Sequence, residues 1–405
     1  MIELNDIRAA ARVVERFVRP TPPLYSYTLS HLLGGAIHLK PENLQRTGSF
    51  KLRGACHKLT SLGDDEKRAG VIAASAGNHA QGVALAAQLL GLRATVVMPE
   101  ETPINKVQRT ASSGAEVILR GSSVDESLAF AREEGARRGL TFIHGYDDPW
   151  IVAGQGTVGL EIVQDLPDCG TIVVPMGGGG LLAGIAVAAK ALLKDVRLVG
   201  VQAAGCPSGI RALEAGHPVT LPAPRTIADG IRVGRVGDLP FEIIRERVDE
   251  LVTVEDEEIS RAIVVLMEKS KLVVEAAGAV GVAALLERKI PTGDKPMVIV
   301  LSGGNIDTSF FIRMLERGLT HEGRLLFLRV GIVDKPGQLA KVLSVLAALG
   351  ANVLDVKHYR AGWQLPLEGT ELEILLETRD AGHGAQIVRG LQGSGYAVTV
   401  PGQDA

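Results

Sequence analysis

The sequence has few aromatic residues and few cysteines. Aromatic residues make up 4% of the 405-residue chain. Its three cysteines, Cys56, Cys169 and Cys206, cannot all pair with one another, and they lack CxxC spacing. A disulfide framework or a zinc site is therefore not expected, and a reducing cytoplasm suits such a chain.

The marks of a secreted or membrane protein are also missing. Residues 1–17 carry charges throughout and lack the apolar core of a signal peptide. The longest apolar stretch, residues 181–193, is interrupted by Lys190 and is too short to span a bilayer. The formal net charge of −3 gives no reason to expect nucleic acid or an acidic membrane surface as a partner.

The composition favours a packed α/β protein of two or three domains. Hydrophobic residues make up 46% of the chain, and 48 glycines supply tight turns. Apolar runs alternate with helical segments as far as about residue 315, as in parallel sheets with crossover helices. The predicted strands are 70–74, 94–98, 116–119, 171–174, 197–201 and 297–301, and the predicted helices include 5–17, 78–90 and 182–193.

The pattern changes near His321. The following segments read as β-α-β-β-α-β, a ferredoxin-like α+β unit, at 325–333, 338–349, 352–359, 371–378, 383–391 and 396–400. The predicted fold class is therefore α/β, with two parallel-sheet subdomains, followed by this α+β domain. We predict a domain at 1–320, with a smaller subdomain of about 48–148 nested within it, and a second domain at 325–402.

One lysine lies in a distinctive setting. Lys51 stands between an aromatic residue and a leucine in the segment 49–54, shortly after Lys-Pro-Glu-Asn at 40–43. An amine that is held near an aldehyde and partly desolvated can form a Schiff base. Taken alone, the segment is better explained by an ordinary surface lysine.

Four consecutive glycines, Gly177 to Gly180, follow the strand 171–174 and open the helix 182–193. Such a run lets backbone N–H groups converge on a phosphate at the positive end of a helix. The run lacks GxGxxG and the lysine of a P-loop, which argues against NAD and ATP. A flexible loop is the alternative, but ligands of α/β sheets bind at the carboxyl ends of strands. Together with Lys51, the run supplies the minimum for pyridoxal phosphate chemistry.

Two further polar loops follow apolar strands. In the segment 75–79, Ser75 and the start of a helix can bind a carboxylate, and the Asn78 amide can reach a cofactor hydroxyl, although a plain helix cap explains the segment too. In the segment 302–305, Ser302 can hydrogen-bond a pyridine nitrogen, although a simple turn is the alternative. A hydroxyl does not hold that ring protonated, which favours the prompt loss of a leaving group.

These motifs, with Ala153-Gly154-Gln155-Gly156-Thr157, resemble the tryptophan-synthase-β-like (fold type II) family of pyridoxal phosphate enzymes over residues 15–315. Within that family the chain is most similar to the threonine/serine ammonia-lyase group, with serine racemase as a near relative. The resemblance implies that Lys51 forms the Schiff base and removes the α-proton. It implies cofactor contacts for Phe50, Lys51, Asn78, Gly177, Gly178, Gly179, Gly180, Leu181 and Ser302, and contacts to the substrate carboxylate for Ser75, Asn78 and His79.

Two positions depart from the relatives. The racemase pattern carries a second serine that reprotonates the opposite face of the α-carbon, whereas this chain has Ala76, which has no transferable proton. Relatives that bind a divalent ion use a glutamate where this chain has Gln202, and an amide is a poorer ligand for a hard cation. We therefore expect elimination over racemisation and no divalent site, while a monovalent cation remains open.

The C-terminal unit resembles an ACT domain, a module that senses small molecules. The resemblance rests on the segment Asp334-Lys335-Pro336-Gly337-Gln338-Leu339 between a strand and a helix. It implies an amino-acid effector, isoleucine or valine first, at an interface between subunits, with contacts from Asp334, Gly337, Gln338 and Leu339. A domain kept only for oligomer assembly is the alternative.

The expected function is the pyridoxal-phosphate-dependent β-elimination of L-threonine to 2-oxobutanoate and ammonia, with action on L-serine as well. The alternatives are a serine ammonia-lyase or serine racemase on the same scaffold and a non-catalytic amino-acid sensor. We also expect an allosteric homo-oligomer, a dimer or a tetramer, in the cytoplasm, with a role in isoleucine biosynthesis.

Overall fold

The computed structural model describes residues 2–359 and 369–401. The chain divides into two compact units, Met1–Phe311 and Ile312–Ala405. A helix, Thr308–His321, runs from the first unit into the second. The predicted boundary at 320–325 lies at and beyond the end of this helix, and it stays a prediction.

The first unit contains two largely parallel sheets. Its described strands are β1 (Leu24–Tyr25), β2 (Ile37–Pro41), β3 (Val71–Ala74), β4 (Ala94–Met98), β5 (Glu116–Leu119), β6 (Thr141–Phe142), β7 (Thr171–Pro175), β8 (Arg197–Ala203), β9 (Glu250–Val254) and β10 (Met297–Leu301). The larger sheet has the order β1-β2-β10-β7-β8-β9, with β1 antiparallel to β2 and the other pairs parallel. The smaller sheet has the parallel order β5-β4-β3-β6.

Helices connect and cover these strands. They are α1 (Leu4–Val14), α2 (Tyr27–Leu33), α3 (Lys51–Ser61), α4 (Asp64–Ala69), α5 (Asn78–Leu90), α6 (Ile104–Ala111), α7 (Val124–Arg138), α8 (Pro149–Asp165), α9 (Gly180–Leu192), α10 (Ser208–Ala215), α11 (Asp238–Arg247), α12 (Asp256–Val265) and α13 (Ala276–Leu286). The next helix in the chain is α14 (Thr308–His321). Asp148 caps α8 by accepting from the N–H groups of Trp150 and Ile151, and Gly91 ends α5 at φ +69°.

The helices α3 and α8 pack with their backbones in close approach. A Cβ atom on Gly154 would lie 2.6 Å from the Cα atom of Gly54. Since real Cβ atoms need more room than this, only glycine fits at the crossing. One apolar core lies around α8, α9 and the larger sheet, and a second lies around α3, α5 and the smaller sheet. The α3–α8 crossing therefore joins the two sheet layers firmly.

The second unit contains an antiparallel sheet with two helices. Its described elements are β11 (Leu325–Val333), α15 (Gln338–Ala348), β12 (Asn352–Tyr359), β13 (Gly369–Glu377), α16 (Ala381–Gly393) and β14 (Ala397–Thr399), with the sheet order β12-β13-β11-β14. Alternate residues of β11, including Leu328 and Val330, are buried in a core with residues of both helices. The predicted fold class, α/β with two parallel sheets followed by a β-α-β-β-α-β unit, is confirmed.

Candidate active site

A cavity in the first unit lies at the carboxyl ends of the parallel strands. It is lined by the start of α3, the first residue of α5, the loop between β7 and α9, and the residue after β10. All nine residues that the sequence predicts to contact the cofactor line it: Phe50, Lys51, Asn78, Gly177, Gly178, Gly179, Gly180, Leu181 and Ser302. The topology thus brings together segments that are far apart in the chain, at the edge where such sheets bind ligands.

Lys51 presents its amine to this cavity. Its Nζ donates a hydrogen bond to the carbonyl oxygen of Gly145 at 2.7 Å and lies 5.1 Å from the centre of the Phe50 ring. Burial lowers the pKa of Lys51 to about 8, although the carboxyl group of Glu275 acts in the opposite sense. A substantial fraction of the amine is therefore neutral near physiological pH, as a nucleophile or base requires.

The glycine loop lies against neighbouring backbone on several sides. A Cβ on Gly177 would lie 2.9 Å from the Cα of Ile231, and one on Gly180 would lie 2.9 Å from the carbonyl oxygen of Tyr146. Gly179 has φ +93°, in the left-handed region that favours glycine. As the N-cap residue of α9, Gly179 has no side chain with which to cap that helix. The loop therefore offers a narrow cradle at the positive end of a helix, and a phosphate group fits this setting.

The Asn78 amide is held in one orientation by two neighbours. Its Nδ2 donates to Oε1 of Glu275 at 2.6 Å, and its Oδ1 accepts from Nδ2 of Asn305 at 2.7 Å. Because an amide nitrogen carries two hydrogens, one remains for a ligand in the cavity. Ser302 is buried and lines the same cavity, and its carbonyl oxygen accepts from the N–H of Phe50 at 3.2 Å.

Ser75 and His79 are engaged in local contacts. The Ser75 hydroxyl accepts from the N–H of Gly77 at 3.1 Å, and Nε2 of His79 lies 3.0 Å from the carbonyl oxygen of Ile143. Burial lowers the pKa of His79 to about 3, and the nearby Lys51 adds to this effect. A neutral His79 donates Nε2–H to Ile143 and brings no positive charge to a carboxylate. The predicted contacts of both residues with substrate stay a prediction.

Several residues that line the cavity were not predicted from the sequence to be site residues, and three of them make notable contacts there. Glu275 precedes α13, Gly145 accepts the Lys51 hydrogen bond, and the ring of Tyr146 packs against Gly178. Burial raises the pKa of Glu275 to about 8, and the negative charge of Asp229 adds to the effect. The signal for Glu275 was present in the sequence, because it is a lone acidic residue in the apolar stretch 272–286.

Gln202 is fully buried on β8 and makes several hydrogen bonds. Its Oε1 accepts from the N–H groups of Gly209 at 2.9 Å and Ile210 at 3.2 Å, at the start of α10. Its Nε2 donates to the carbonyl oxygen of Met176 at 3.4 Å. Across residues 2–359 and 369–401, the structure places no three His, Cys, Asp or Glu side chains close enough together to hold a metal ion.

The comparisons with known proteins agree with this geometry. The model of the family described as pyridoxal-phosphate dependent enzyme matches residues 14–303. The chain belongs to this family. The family uses pyridoxal phosphate as its cofactor, and the lysine amine, the glycine cradle and the buried hydroxyl of the cavity fit that group.

Individual members of the family resemble the chain over most of its length. The L-threonine ammonia-lyase of Thermotoga maritima is 47% identical over 402 residues, which cover 99% of this chain and all of that protein. The processed form of threonine deaminase isoform 2 from Solanum lycopersicum has a TM-score of 0.74 at 38% identity, covering 78% of this chain and 92% of its own. Maize serine racemase has a TM-score of 0.74 at 34% identity, and the match covers 80% of this chain and 99% of the racemase chain.

Among the helices of residues 2–359 and 369–401, none combines the length and the apolar character that crossing a bilayer requires.

Glu275 is expected to make the stability of the cofactor-free protein depend on pH. Its pKa is about 8 in the folded chain and 4.5 ordinarily. Between these values the folded protein holds a proton that the unfolded chain has released, so this group's contribution to stability falls as pH rises. The slope is at most about 1.4 kcal/mol per pH unit. The lowered pKa of Lys51, about 8, makes stability rise with pH instead, but only above pH 8, where the folded protein releases a proton that the unfolded chain keeps.

The test is the thermal stability of the cofactor-free Glu275→Gln variant from pH 5 to pH 8. Glutamine keeps an oxygen that accepts from Asn78 but does not titrate. Buried histidines also affect the pH profile, but they are the same in both proteins, so the difference in Tm isolates Glu275. We expect the Tm of the variant, relative to that of the wild type, to increase as the pH rises. A constant difference across this range contradicts the assignment.

Proposed function

We propose that the protein deaminates L-threonine to 2-oxobutanoate and ammonia, and that L-serine is a second substrate. The observation that carries the proposal is the buried amine of Lys51, with its pKa lowered to about 8, facing a glycine cradle and the Ser302 hydroxyl in one cavity. Relatives named for this activity match the chain over its whole length, which supports the choice of threonine.

In the proposed reaction, most of the named cavity residues bind the cofactor, and Lys51 transfers the proton. Bound pyridoxal phosphate supplies an electron sink that acidifies the α-proton of an amino acid. The N–H groups of Gly177 to Gly180 would hold the phosphate, Asn78 and Phe50 would orient the ring, and the Ser302 hydroxyl would hydrogen-bond the ring nitrogen without protonating it. Nζ of Lys51 would take the α-proton, which its neutral fraction permits. In the net reaction, the α-proton and the β-hydroxyl leave L-threonine as one water molecule, and hydrolysis of the resulting enamine gives 2-oxobutanoate and ammonia.

Ala76 favours elimination over racemisation. It lies in the loop between β3 and α5, where its methyl group packs against the core of the smaller sheet. A methyl group carries no transferable proton, so this position cannot deliver one to the second face of the α-carbon. The fold shared with maize serine racemase does not by itself decide the reaction.

A substrate panel tests the proposal. The release of 2-oxo acid and of ammonia is measured with L-threonine, L-serine and their D-isomers, using protein saturated with pyridoxal phosphate. We expect the highest kcat/KM with L-threonine, a lower value with L-serine and no measurable release from the D-isomers. A preference for L-serine points to a serine ammonia-lyase, and conversion between L- and D-serine without 2-oxo acid points to a racemase.

We also propose that the second unit is an ACT-type regulatory domain in a homo-oligomer, and that the protein works in the cytoplasm. The unit has its own apolar core. Its helix α15 begins after Gly337, which has φ +83° and, as the N-cap residue, has no side chain of its own to cap the helix. This N-terminus suits an α-carboxylate, as predicted for Asp334, Gly337, Gln338 and Leu339. The three cysteines are unpaired and buried, which suits a reducing compartment.

Deletion of residues 322–405 is expected to leave an active enzyme that no longer responds to an amino-acid effector. In the full-length protein, isoleucine or valine should change the apparent affinity for L-threonine by about 5–150-fold, which corresponds to typical coupling free energies. Activity is measured with each amino acid present, calorimetry measures binding, and light scattering measures oligomer size. If no amino acid binds the full-length protein and deletion changes only oligomer size, the unit is an assembly module.

A further inference from the structure

A buried cluster of charged side chains lies behind the helix that carries Lys51. Arg53 and Lys40 are fully buried, as is Glu42, while 29% of the Glu161 side chain is exposed. Arg53 binds both carboxylates in the two-point manner of a guanidinium: 2.7 and 2.8 Å to Glu42, and 2.5 and 2.9 Å to Glu161. Nζ of Lys40 lies 2.5 Å from Oε2 of Glu161. Two cations thus face two carboxylates.

Two threonine hydroxyls complete the hydrogen bonds of the cluster. Nη1 of Arg53 donates to Oγ1 of Thr157 at 3.1 Å, and its Nη2 lies 3.3 Å from Oγ1 of Thr21. The Thr21 hydroxyl donates to Oε1 of Glu42 at 2.5 Å. Burial alone would raise the pKa of Glu42, but the guanidinium outweighs burial and the pKa lies below its ordinary value. The buried pair is therefore ionised.

Stability by itself does not explain why charged side chains are buried in such a cluster. Each buried ion loses several kcal/mol of hydration, and well-packed apolar side chains of similar volume often stabilise a core as well or better. What a planar guanidinium with two bidentate partners does provide is a fixed orientation. The motif residues at 40–43, together with Arg53, are not needed for any step of the proposed reaction, so their arrangement calls for another role.

The orientation that Arg53 fixes is that of α3. Lys51 and Arg53 are two residues apart, which places them about 200° apart around the helix axis. Lys51 reaches the cavity on one side, whereas Arg53 reaches Glu42 after β2 and Glu161 on α8 on the other. A rotation of α3 that displaces the Lys51 amine would also break the bidentate contacts of Arg53.

We propose that Arg53, held by Glu42 and Glu161, is a positioning residue that fixes the rotation of α3 and keeps the Lys51 amine in its buried place in the cavity. The inference rests on the proposed function in that Lys51 is taken as the reactive amine. Arg53 itself touches neither the cavity nor a reacting atom, since it is not among the residues that line the cavity.

Two variants test this role. Arg53→Lys keeps the positive charge but loses the bidentate contacts. Thr157→Val is the milder change, because it removes only the two hydrogen bonds of one hydroxyl, which accepts from Arg53 and donates to the carbonyl oxygen of Gly154. Lys58→Gln is the matched control, because Lys58 also lies on α3 and its ion pair with Asp148, at 2.7 Å, also ties that helix to α8. The cofactor-free proteins are mixed with pyridoxal phosphate, and the rate constant of uptake is followed by absorbance from pH 6 to pH 10.

The rate of uptake depends on the neutral fraction of the Lys51 amine, because only the neutral amine bonds the aldehyde of the cofactor. Since burial sets the pKa of this amine, the pH dependence of uptake reports how well the amine is buried. The charged or titratable groups that act on this amine are Glu275, before α13, with His79 on α5 and His144 after β6. The variants leave all three unchanged. When α3 rotates, water reaches the amine and its pKa moves toward the ordinary value of 10.5. We expect the midpoint of the pH dependence of the uptake rate to rise by about one pH unit in Arg53→Lys, and the uptake rate at pH 8 to fall about fivefold.

The other readouts separate positioning from mere stability. Thr157→Val should show a smaller shift of the midpoint in the same direction, and Lys58→Gln should lower Tm without moving the midpoint. In turnover of L-threonine, Arg53→Lys should lower kcat more than it changes KM. If both cluster variants lower only Tm and keep the wild-type midpoint and rate, the cluster is structural and the proposal is wrong.

The outcomes also separate this proposal from the proposed function. Wild-type protein that takes up the cofactor with a midpoint near pH 8 but does not release 2-oxobutanoate from L-threonine overturns the function alone. Normal threonine turnover by the wild type, with uptake unaltered in Arg53→Lys and Thr157→Val, overturns the positioning role alone.

Discussion

Replacement of Lys51 by alanine is expected to lower kcat for L-threonine by at least about 10³-fold, because in the proposed reaction this one side chain both bonds the cofactor and moves the α-proton. Burial in the cavity lowers the pKa of the Lys51 amine to about 8, so part of it is neutral and able to act as a nucleophile or base. The variant should lose the visible absorbance that the cofactor gains on bonding a lysine, while its fold is kept. Steady-state 2-oxo acid release, absorbance and circular dichroism measure these three properties.

Rescue of the Lys51→Ala variant by small amines tests whether the lost group acts as a base. Methylamine or ethylamine can enter the space left by the lysine side chain and accept a proton there. Activity that returns in proportion to the concentration of the neutral amine supports a role as base, and Lys58→Ala on the same helix serves as the unaffected control. Wild-type turnover in Lys51→Ala contradicts the assignment of the whole site.

Replacement of Gly180 by alanine is expected to weaken pyridoxal phosphate binding by about 10²-fold or more. The added Cβ would lie 2.9 Å from the carbonyl oxygen of Tyr146, a backbone atom that cannot move aside like a flexible side chain. The start of α9 must then shift away from the phosphate, which loses its N–H donors there. Titration of the cofactor-free protein with pyridoxal phosphate measures the dissociation constant.

Gly293→Ala is the matched control, because a Cβ there meets no atom within 4 Å and the residue lies in a surface loop. It should bind the cofactor as the wild type does. Equal affinity of Gly180→Ala and wild type would mean that the glycine run does not hold the phosphate. A loss of affinity in both variants would point to general destabilisation.

The regular parts of the fold could be predicted because their signals are local. Strands β4, β5 and β10 and helix α5 have the predicted bounds, since each is an apolar run or an amphipathic segment with clear ends. Strands β1 and β6 have only two residues each, and too short a run carries no periodicity. Helix α1 ends at Val14, three residues earlier than predicted, because residues 15–17 form a turn before the prolines.

The site was predictable only where a motif lies within one short segment. Lys51, the glycine run and Ser302 each follow a recognisable pattern, and parallel strands bring their ends together. The contact of Lys51 with Gly145 joins residues 94 positions apart, and that of Asn78 with Glu275 joins residues 197 positions apart. Such contacts depend on how the two sheets pack. For the same reason, the charge cluster around Arg53 could not be read from the sequence, although its residues stood within noticed motifs.

The most direct test of the account follows L-threonine by proton NMR in the presence of the protein saturated with pyridoxal phosphate. We expect threonine to disappear and 2-oxobutanoate and ammonium to form in equal amounts, with no other isomer of threonine detected. The same sample prepared with Lys51→Ala should leave threonine unchanged. Accumulation of an isomer of threonine, or unchanged threonine with the wild-type protein, would contradict the account.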